Sequence, residues 1–312
     1  MSAPPRQAAV ILGTRASRLA RAQTEAVIGA LTAAWPELEC TTRVIATAGD
    51  RTQASGQPLP EIGGKGLFTA ELERALRDGE IDLAVHSLKD LPTEDAEGVV
   101  VAAVTEREDV RDCLVARDDV TLAGLGEGAV VGTSSLRRGA QLRALRPDLD
   151  VRSIRGNVDT RIRKVREGEY EAAVLAAAGV HRLELEHEVA EWLDAERMLP
   201  APGQGALAIQ ARADDEAILE LVAELDHARA RAETTAERSF LRDLGAGCAA
   251  PVAALATVTT TPRVRLQGLV ASVDGEQMVR VEGEGEPDEI GARLAQEALA
   301  AGADRILAAI RA

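Results

Sequence analysis

The 312-residue chain has very few aromatic residues, so its cores must be built from small and aliphatic side chains. Phenylalanine, tryptophan and tyrosine together make up 2% of the sequence, whereas hydrophobic residues as a whole make up 46%. That hydrophobic fraction excludes a largely disordered protein. The length predicts two or three compact domains.

Paired cysteines and long apolar runs are also missing. The three cysteines, Cys40, Cys113 and Cys248, form no CxxC motif, which argues against a disulfide framework and against a zinc site. No apolar run approaches the roughly 20 residues of a membrane-spanning helix. The apolar stretch near the N-terminus is too short for a signal peptide. These absences predict a cytoplasmic protein without a metal site.

Basic residues are outnumbered by acidic ones, 36 to 51, which gives a net charge of −15 and argues against a general nucleic-acid binder. Residues 132–166 are the exception, because they contain ten basic and three acidic residues. Arginine suits planar, bidentate recognition of carboxylates and phosphates. We predict an anion site in loops after strands, formed by Arg137, Arg138, Arg155 and Arg161. The alternative is a solvated helical face, which we prefer for Arg143, Arg146 and Arg166.

Short β-like runs alternate with helical periods over the first two-thirds of the chain. The predicted strands cover 10–14, 43–47, 81–88, 112–116, 129–134, 151–154, 172–180 and 206–211, and the predicted helices cover a stretch ending at residue 34, 67–78 and 214–244. This alternation predicts two α/β domains with mainly parallel sheets. The sequence after Gly247 predicts three antiparallel strands and a closing helix over about 287–311, which together indicate a small α+β domain. The predicted boundaries are 8–105 with 206–225, then 106–205, then 226–312.

Ligands of open parallel sheets bind beyond the carboxyl ends of the strands, and Asp90 lies just past such a predicted strand. A carboxylate there is suited to proton transfer or to stabilising a cation. The alternative is a helix cap or an ion pair with Lys89. His86, within the strand, is predicted to be a core residue.

Two glycine-rich loops each contain one candidate side chain. Gly63-Gly64-Lys65-Gly66 lacks the spacing of a phosphate-binding loop, so we expect a mobile loop with Lys65 at its tip. Gly245-Ala246-Gly247 precedes Cys248. An accessible thiol there is a candidate nucleophile or covalent attachment point, and the alternative is a small loop residue. Cys40 and Cys113 are predicted packing residues.

Together, these segments closely resemble the porphobilinogen deaminase (hydroxymethylbilane synthase) family. The resemblance spans residues 13–252 in the family's order. The matching stretches are GTRASRLARAQ (13–23), GGKGLF (63–68), HSLKDLP (86–92), EREDVRD (106–112), VGTSSLRR (131–138), IRGNVDTR (154–161), LAAAGVHRL (175–183), LPAPGQGALAI (199–209) and GAGCAAPV (245–252).

The resemblance implies two type II periplasmic-binding-protein-like α/β domains plus a small C-terminal α+β domain. It also implies a monomeric transferase of tetrapyrrole and haem biosynthesis. In that family a dipyrromethane cofactor is attached through a thioether, here to Cys248. Four porphobilinogen units are added head to tail with loss of ammonia, and hydrolysis releases hydroxymethylbilane. No nucleic-acid or membrane partner is implied.

The resemblance also assigns residue roles. Asp90 would be the catalytic carboxylate, which stabilises the electron-poor azafulvene left when ammonia departs. Cofactor contacts would come from Cys248, Lys89, Ser135, Arg137, Arg138, Arg155 and Gln204. Substrate contacts would come from Arg15, Ser17, Arg155, Arg161 and Arg182, with Lys65 in a loop over the cleft. Thr133 and Ser134 are weaker assignments on the same basis.

Three residues depart from the family's pattern, and two other functions compete with the one implied. Arg18 and Arg21 stand where apolar residues are frequent, and Ala48 stands where a basic residue is common. One competing function is a non-catalytic anion-binding protein, which would leave Cys248 unexplained. The other is an acyl transferase with a cysteine nucleophile, which would need a histidine base that no motif supplies.

Overall fold

A computed structural model describes residues 9–47, 69–247, 249–260 and 262–311, and these residues form thirteen strands and nine α-helices. The strands are β1 (Ala9–Thr14), β2 (Glu39–Val44), β3 (Leu83–Ser87), β4 (Val99–Val104), β5 (Asp112–Ala116), β6 (Val130–Gly132), β7 (Asp150–Arg152), β8 (Ala172–Ala176), β9 (Glu191–Leu193), β10 (Leu207–Arg212), β11 (Val252–Thr260), β12 (Arg263–Ala271) and β13 (Met278–Gly285). The helices are α1 (Arg18–Ala34), α2 (Ala70–Arg77), α3 (Leu136–Leu145), α4 (Val158–Arg166), α5 (Ala177–His181), α6 (Glu216–Ala223), α7 (Ala228–Asp243), α8 (Pro287–Ala298) and α9 (Asp304–Arg311).

The chain divides into two compact units, Met1–Arg107 with Ala206–Arg231 and Glu108–Gly205 with Ala232–Ala312. The first unit contains one five-stranded sheet, and the second contains a five-stranded sheet and the three-stranded C-terminal sheet. The predicted fold class is confirmed, with two α/β sheets and a small C-terminal sheet. The three-domain boundaries stay a prediction.

The first unit has the strand order β2-β1-β3-β10-β4. Strand β1 is parallel to β2 and β3, whereas β10 is antiparallel to β3 and β4. Helix α1 buries Val27 and Leu31, four residues apart on one face, in a cluster with Val10 and Leu12 of β1. Because β1 and β3 are adjacent and parallel, the loops that follow them lie at the same edge of the sheet.

The second unit has the strand order β7-β6-β8-β5-β9, with the same pattern of directions. Because side chains alternate along a strand, β5 sends Leu114 into a cluster with Leu142 of α3 and Val115 into a cluster with Ile162 of α4. Helices therefore cover both faces of this sheet.

The sheets are mixed, so the prediction of mainly parallel sheets is wrong. Each five-stranded sheet has two parallel and two antiparallel pairings. The antiparallel members, β5 and β10, are the first strands formed after the chain passes from one unit to the other. A crossover helix between successive strands of one sheet makes those strands parallel. No such helix leads into β5 or β10, because the strand before each of them belongs to the sheet of the other unit.

The C-terminal sheet is antiparallel in the order β11-β12-β13, as the sequence predicts. Phe240 of α7 and Leu294 of α8 share one core with Leu266 of β12. The Phe240 ring lies so close to Gly268 that a Cβ there would be 2.5 Å from a ring carbon. Only glycine fits at this position without movement of the ring.

Several predicted segments differ from the observed elements. The second strand covers Glu39–Val44 rather than 43–47, and residues 172–180 divide into β8 and α5. The predicted helix over 214–244 forms two helices, α6 and α7, and the closing helix is interrupted near Gly302, whose φ is +109°. Strands β4 and β9 were not predicted.

No helix in the described ranges is both long enough and apolar enough to cross a membrane.

Candidate active site

Asp90 lies at the carboxyl end of β3, in the short 3-10 turn Leu88–Asp90. Leu88 and Leu91 on either side are buried, and the Leu91 amide donates to the Leu88 carbonyl. These contacts fix the turn and leave Asp90 exposed. Its carboxylate has no hydrogen bond or ion pair with the described part of the chain. The alternative interpretation of Asp90, as a helix cap or an ion-pair partner of Lys89, is therefore wrong.

Arg15 and Ser17 follow β1 and lie at the same sheet edge as Lys89 and Asp90, because β1 and β3 are adjacent and parallel. Ser17 is the N-cap of α1, and its Oγ accepts a hydrogen bond from the Ala20 amide at 3.2 Å. Arg15 is half-buried. This sheet edge of the first unit thus carries Arg15 and Lys89 together with the exposed carboxylate of Asp90.

His86 lies in β3 and is buried, as predicted for a core residue. Burial, together with the nearby charge of Arg15, lowers the pKa of His86 to about 4. The imidazole is neutral near pH 7, and its Nε2 has no hydrogen-bond partner. It adds no charge to the sheet edge.

The second unit brings Arg137 and Arg138 together on the first turn of α3, whose N-cap is Ser135. Both arginines are buried, although the sequence placed them in a loop. Asp112, at the start of β5, accepts a hydrogen bond at 2.7 Å from Arg137 Nη1 and another at 2.7 Å from Arg138 Nη2. Gln204 Nε2 also donates to Asp112, at 2.9 Å. The pattern of the sequence did not identify Asp112, because it reads only as the first residue of a strand.

This buried group carries two positive charges and one negative charge. Burial opposes ionisation of Asp112, but the charges of Arg137 and Arg138 outweigh it and hold the pKa of Asp112 well below its usual range. The Nε atoms of both arginines are buried, and neither has a hydrogen-bond partner among the described residues. Buried donors are normally satisfied, so an excess positive charge with two unsatisfied donors fits a ligand that bears carboxylates. The residues present therefore fit a dipyrromethane with acidic side chains.

Arg155 lies in the loop between β7 and α4 and is half-buried. Its guanidinium forms no ion pair or hydrogen bond within the described ranges. Arg161 lies inside α4, not in a loop, and its Nε donates to the Gly156 carbonyl at 2.8 Å. Arg155 is thus a cation that a bound anion can reach.

Arg182 and the Gly-Thr-Ser-Ser segment have contacts within the protein. Arg182 Nη2 donates to the Gly205 carbonyl at 2.6 Å, and burial lowers the pKa of Arg182. Thr133 Oγ1 accepts from the Ser135 amide, while Ser134 Oγ donates to the Ile154 carbonyl. These bonds shape the loop that leads into α3.

The predicted solvated helical face is confirmed for Arg166 only. Arg166 is exposed and pairs with Glu188. Arg143 instead donates to the carbonyls of Val273 and Val151, and Arg146 donates to three loop carbonyls. Backbone carbonyls that lack a secondary-structure partner need donors, which is why these two arginines turn toward the protein.

Two candidate residues, Lys65 and Cys248, lie outside the described residues. Cys113 is buried, and burial raises the pKa of its thiol to about 12, which agrees with a packing role. Cys40 is half-buried beside the core of the first unit. In the ranges that the structure describes, no cluster of histidine, cysteine and acidic side chains is arranged to hold a metal ion.

Comparison with known proteins gives matches along nearly the whole chain. Residues 10–220 match the family model described as porphobilinogen deaminase, dipyromethane cofactor binding domain, and residues 231–300 match the model of the porphobilinogen deaminase C-terminal domain. The porphobilinogen deaminase of Brevibacillus brevis is 47% identical, over 96% of this chain and 96% of that protein. The corresponding protein of Thermus thermophilus is 48% identical, over 97% of this chain and 99% of that protein.

Among solved structures, the periplasmic aliphatic sulphonate binding protein SsuA of Escherichia coli is 15% identical, with a TM-score of 0.38, over 75% of this chain and 70% of that one. The two family models and the identities to the curated relatives confirm the resemblance found in the sequence motifs. This chain belongs to the porphobilinogen deaminase family.

Proposed function

We propose that this chain is a hydroxymethylbilane synthase, a transferase that joins four porphobilinogen units head to tail with loss of one ammonia per unit. The units extend a dipyrromethane primer bound to Cys248, and water then releases the linear tetrapyrrole. The observation that carries the proposal is the exposed carboxylate of Asp90, which has no partner among the described residues and lies at a sheet edge that also bears Arg15 and Lys89.

Asp90 is the catalytic residue of this proposal. Loss of ammonia from porphobilinogen leaves positive character on the pyrrole, and a carboxylate near the ring N–H stabilises that charge. The stabilisation grows as the charge develops, so it favours the transition state over the ground state. The Asp90 carboxylate has no counter-ion in the described part of the chain, and it is available for this role.

The basic residues hold the carboxylates of substrate and growing chain. Each porphobilinogen brings an acetate and a propionate group, so every addition increases the negative charge that must be bound. Arg155, which has no protein partner within the described ranges, supports this role most directly. The other proposed substrate contacts are Arg15, Ser17, Arg161 and Arg182.

The primer is held by a second set of residues. When bound, the dipyrromethane supplies the pyrrole end to which the first porphobilinogen is joined. We assign its contacts to Lys89, Ser135, Arg137, Arg138, Arg155 and Gln204, with a thioether to Cys248. Lys65 is proposed to lie in a loop over the site. The excess positive charge at Arg137 and Arg138 supports the binding of a carboxylate there.

The proposal includes a monomeric, cytoplasmic enzyme that needs no nucleic acid or membrane. The net charge of −15 disfavours contact with nucleic acid. Light scattering of the purified protein tests the oligomeric state, and a mass near 32.9 kDa is expected.

Intact mass spectrometry of purified protein tests the proposal. We expect the wild-type chain to carry an adduct of two pyrrole units. Cys248→Ser should fold, because its neighbours Gly247 and Ala249 are exposed and surface substitutions usually alter stability by within about 0.5 kcal/mol. It should lack the adduct and most of the activity. A Cys248→Ser protein with full activity, or an active wild-type protein without an adduct, would contradict attachment at Cys248.

A further inference from the structure

The strongest unassigned feature is Asp112, the fully buried carboxylate between Arg137 and Arg138. Its Oδ2 accepts from Arg137, and its Oδ1 accepts from both Arg138 and Gln204. All three donors lie within 2.9 Å of a carboxylate oxygen. The two bonds from the arginines have both partners charged, and such bonds are the strongest that side chains form.

Asp112 engages only the terminal nitrogens of the two guanidinium groups. The remaining contacts of these nitrogens go to backbone carbonyls, from Arg137 to Leu199 at 2.7 Å and from Arg138 to Val174 at 3.2 Å. The Nε–H of each arginine is left without a partner. Asp112 therefore fixes both side chains while it neutralises only one of their two charges.

We propose that Asp112 is a positioning residue for the carboxylate site, which holds Arg137 and Arg138 side by side and leaves one positive charge and two Nε–H donors for a carboxylate of the bound pyrrole chain. This inference rests on the proposed function. It explains why an acidic residue lies inside a site that must attract anions: without it, two buried guanidinium groups would repel each other.

Asparagine cannot replace Asp112 in this arrangement. Its single amide oxygen can face Arg138 and Gln204, or it can face Arg137, but not both sides. The amide NH₂ would then point a donor at another donor. Asp112→Asn thus releases at least one arginine from its position and leaves both positive charges uncompensated.

The test measures how the unloaded protein acquires its primer. Wild-type and variant chains are purified from cells that make no porphobilinogen, then incubated with increasing porphobilinogen. The adduct is counted by intact mass in the folded fraction, and a thermal melt is recorded in parallel. We expect Asp112→Asn to need at least about tenfold more porphobilinogen for half-maximal loading, because a charge-assisted hydrogen bond contributes roughly 1.5–3 kcal/mol.

Asp150→Asn is the matched control. It removes an aspartate of the same unit that pairs with Arg152 at 2.8 Å but is only half-buried, so loading should resemble that of wild type. Asp112→Glu keeps the charge and moves the acceptor oxygens by the length of one methylene. It should raise the porphobilinogen concentration for half-maximal loading by a smaller factor than Asp112→Asn does. It also serves as the test variant where Asp112→Asn does not fold.

A purely structural role for Asp112 would lower the melting temperature and leave the half-loading concentration of folded protein unchanged. Half-loading at the wild-type concentration in both folded variants, or in Asp112→Glu alone where only it folds, overturns the inference. Absence of any adduct on the wild-type chain would instead contradict the proposed function.

Discussion

Asp90 and Asp112 have identical side chains, but their surroundings suit them to different roles. Asp90 is exposed and has no partner within the described ranges, so its charge is available to a ligand. Asp112 is buried and receives bonds from two arginines and a glutamine, so its charge is used inside the protein. The same carboxylate is suited to catalysis in one place and to positioning in the other.

Replacing Asp90 by asparagine tests the catalytic role. The change is nearly isosteric and removes only the negative charge, so folding and primer loading should survive. Loss of a preorganised electrostatic group commonly lowers the rate by about 10²–10³, and we expect that loss in the rate of hydroxymethylbilane formation. Asp95→Asn, an exposed aspartate in the same unit, should keep the wild-type rate. Product formation at the wild-type rate by Asp90→Asn would remove Asp90 from the mechanism.

Arg155 and Arg166 make a matched pair for testing where anions bind. Arg155 is half-buried and has no partner among the residues that the structure describes, whereas Arg166 is exposed and paired with Glu188. Arg155→Ala should weaken productive binding of porphobilinogen about tenfold or more, since it loses a charge-assisted bond to a carboxylate. Arg166→Ala should change little. The ratio kcat/KM measures both effects, and equal losses would mean that the anion site lies elsewhere.

Sequence patterns found the site residues that flank strands but not the way they are used. Asp90 and Arg155 lie in loops beyond strands, as predicted. Arg137 and Arg138 are read correctly as a basic pair, yet their burial depends on Asp112, which is 25 residues away in the chain. A contact between distant segments leaves no local pattern, so the sequence alone did not reveal this one.

At the scale of elements, runs with one buried face were predicted well. Strand β5 has the predicted bounds, β1 begins one residue earlier than predicted, and β10 is shifted by one residue at both ends. The predicted element boundaries are wrong where the same composition continues from one element into the next. The alanine-rich run over 172–180 was predicted as one strand, but it contains β8 and most of α5. The prediction of parallel strands is wrong because strand direction depends on how the chain returns to a sheet. Hydrophobic periodicity carries no information about the path of the chain.

Strand β3 carries a titratable group whose burial links folding to pH. The pKa of His86 is lowered from 6.5 to about 4 in the folded protein. The unfolded chain therefore binds more protons between these values, and stability falls as pH decreases from 6.5 toward 4. The full loss from this group is about 3 kcal/mol, since one pKa unit corresponds to about 1.4 kcal/mol.

Urea unfolding at several pH values measures this effect. His86→Gln should show a smaller decrease in unfolding free energy between pH 6.5 and pH 4 than the wild-type chain. His187→Gln, which replaces an exposed histidine, should keep the wild-type decrease. Identical pH profiles for His86→Gln and wild type would contradict burial of a neutral imidazole in β3.

For the whole molecule, the central claim is that the chain polymerises porphobilinogen on a primer that it carries itself. An anion-binding protein with the same arginines would bind porphobilinogen without forming covalent bonds to it. The enzyme is favoured by family membership and by Asp90, whose carboxylate has no partner in the described ranges. Only the enzyme adds pyrrole units covalently to the chain, so the mass of the protein distinguishes the two functions.

Time-resolved intact mass after mixing the loaded protein with porphobilinogen measures that difference most directly. The account predicts successive species with one to four added pyrrole units, followed by return to the starting mass as the tetrapyrrole is released. Asp90→Asn should show the same starting mass and a much slower succession. A protein that retains its starting mass throughout, while porphobilinogen binds reversibly, would contradict the account.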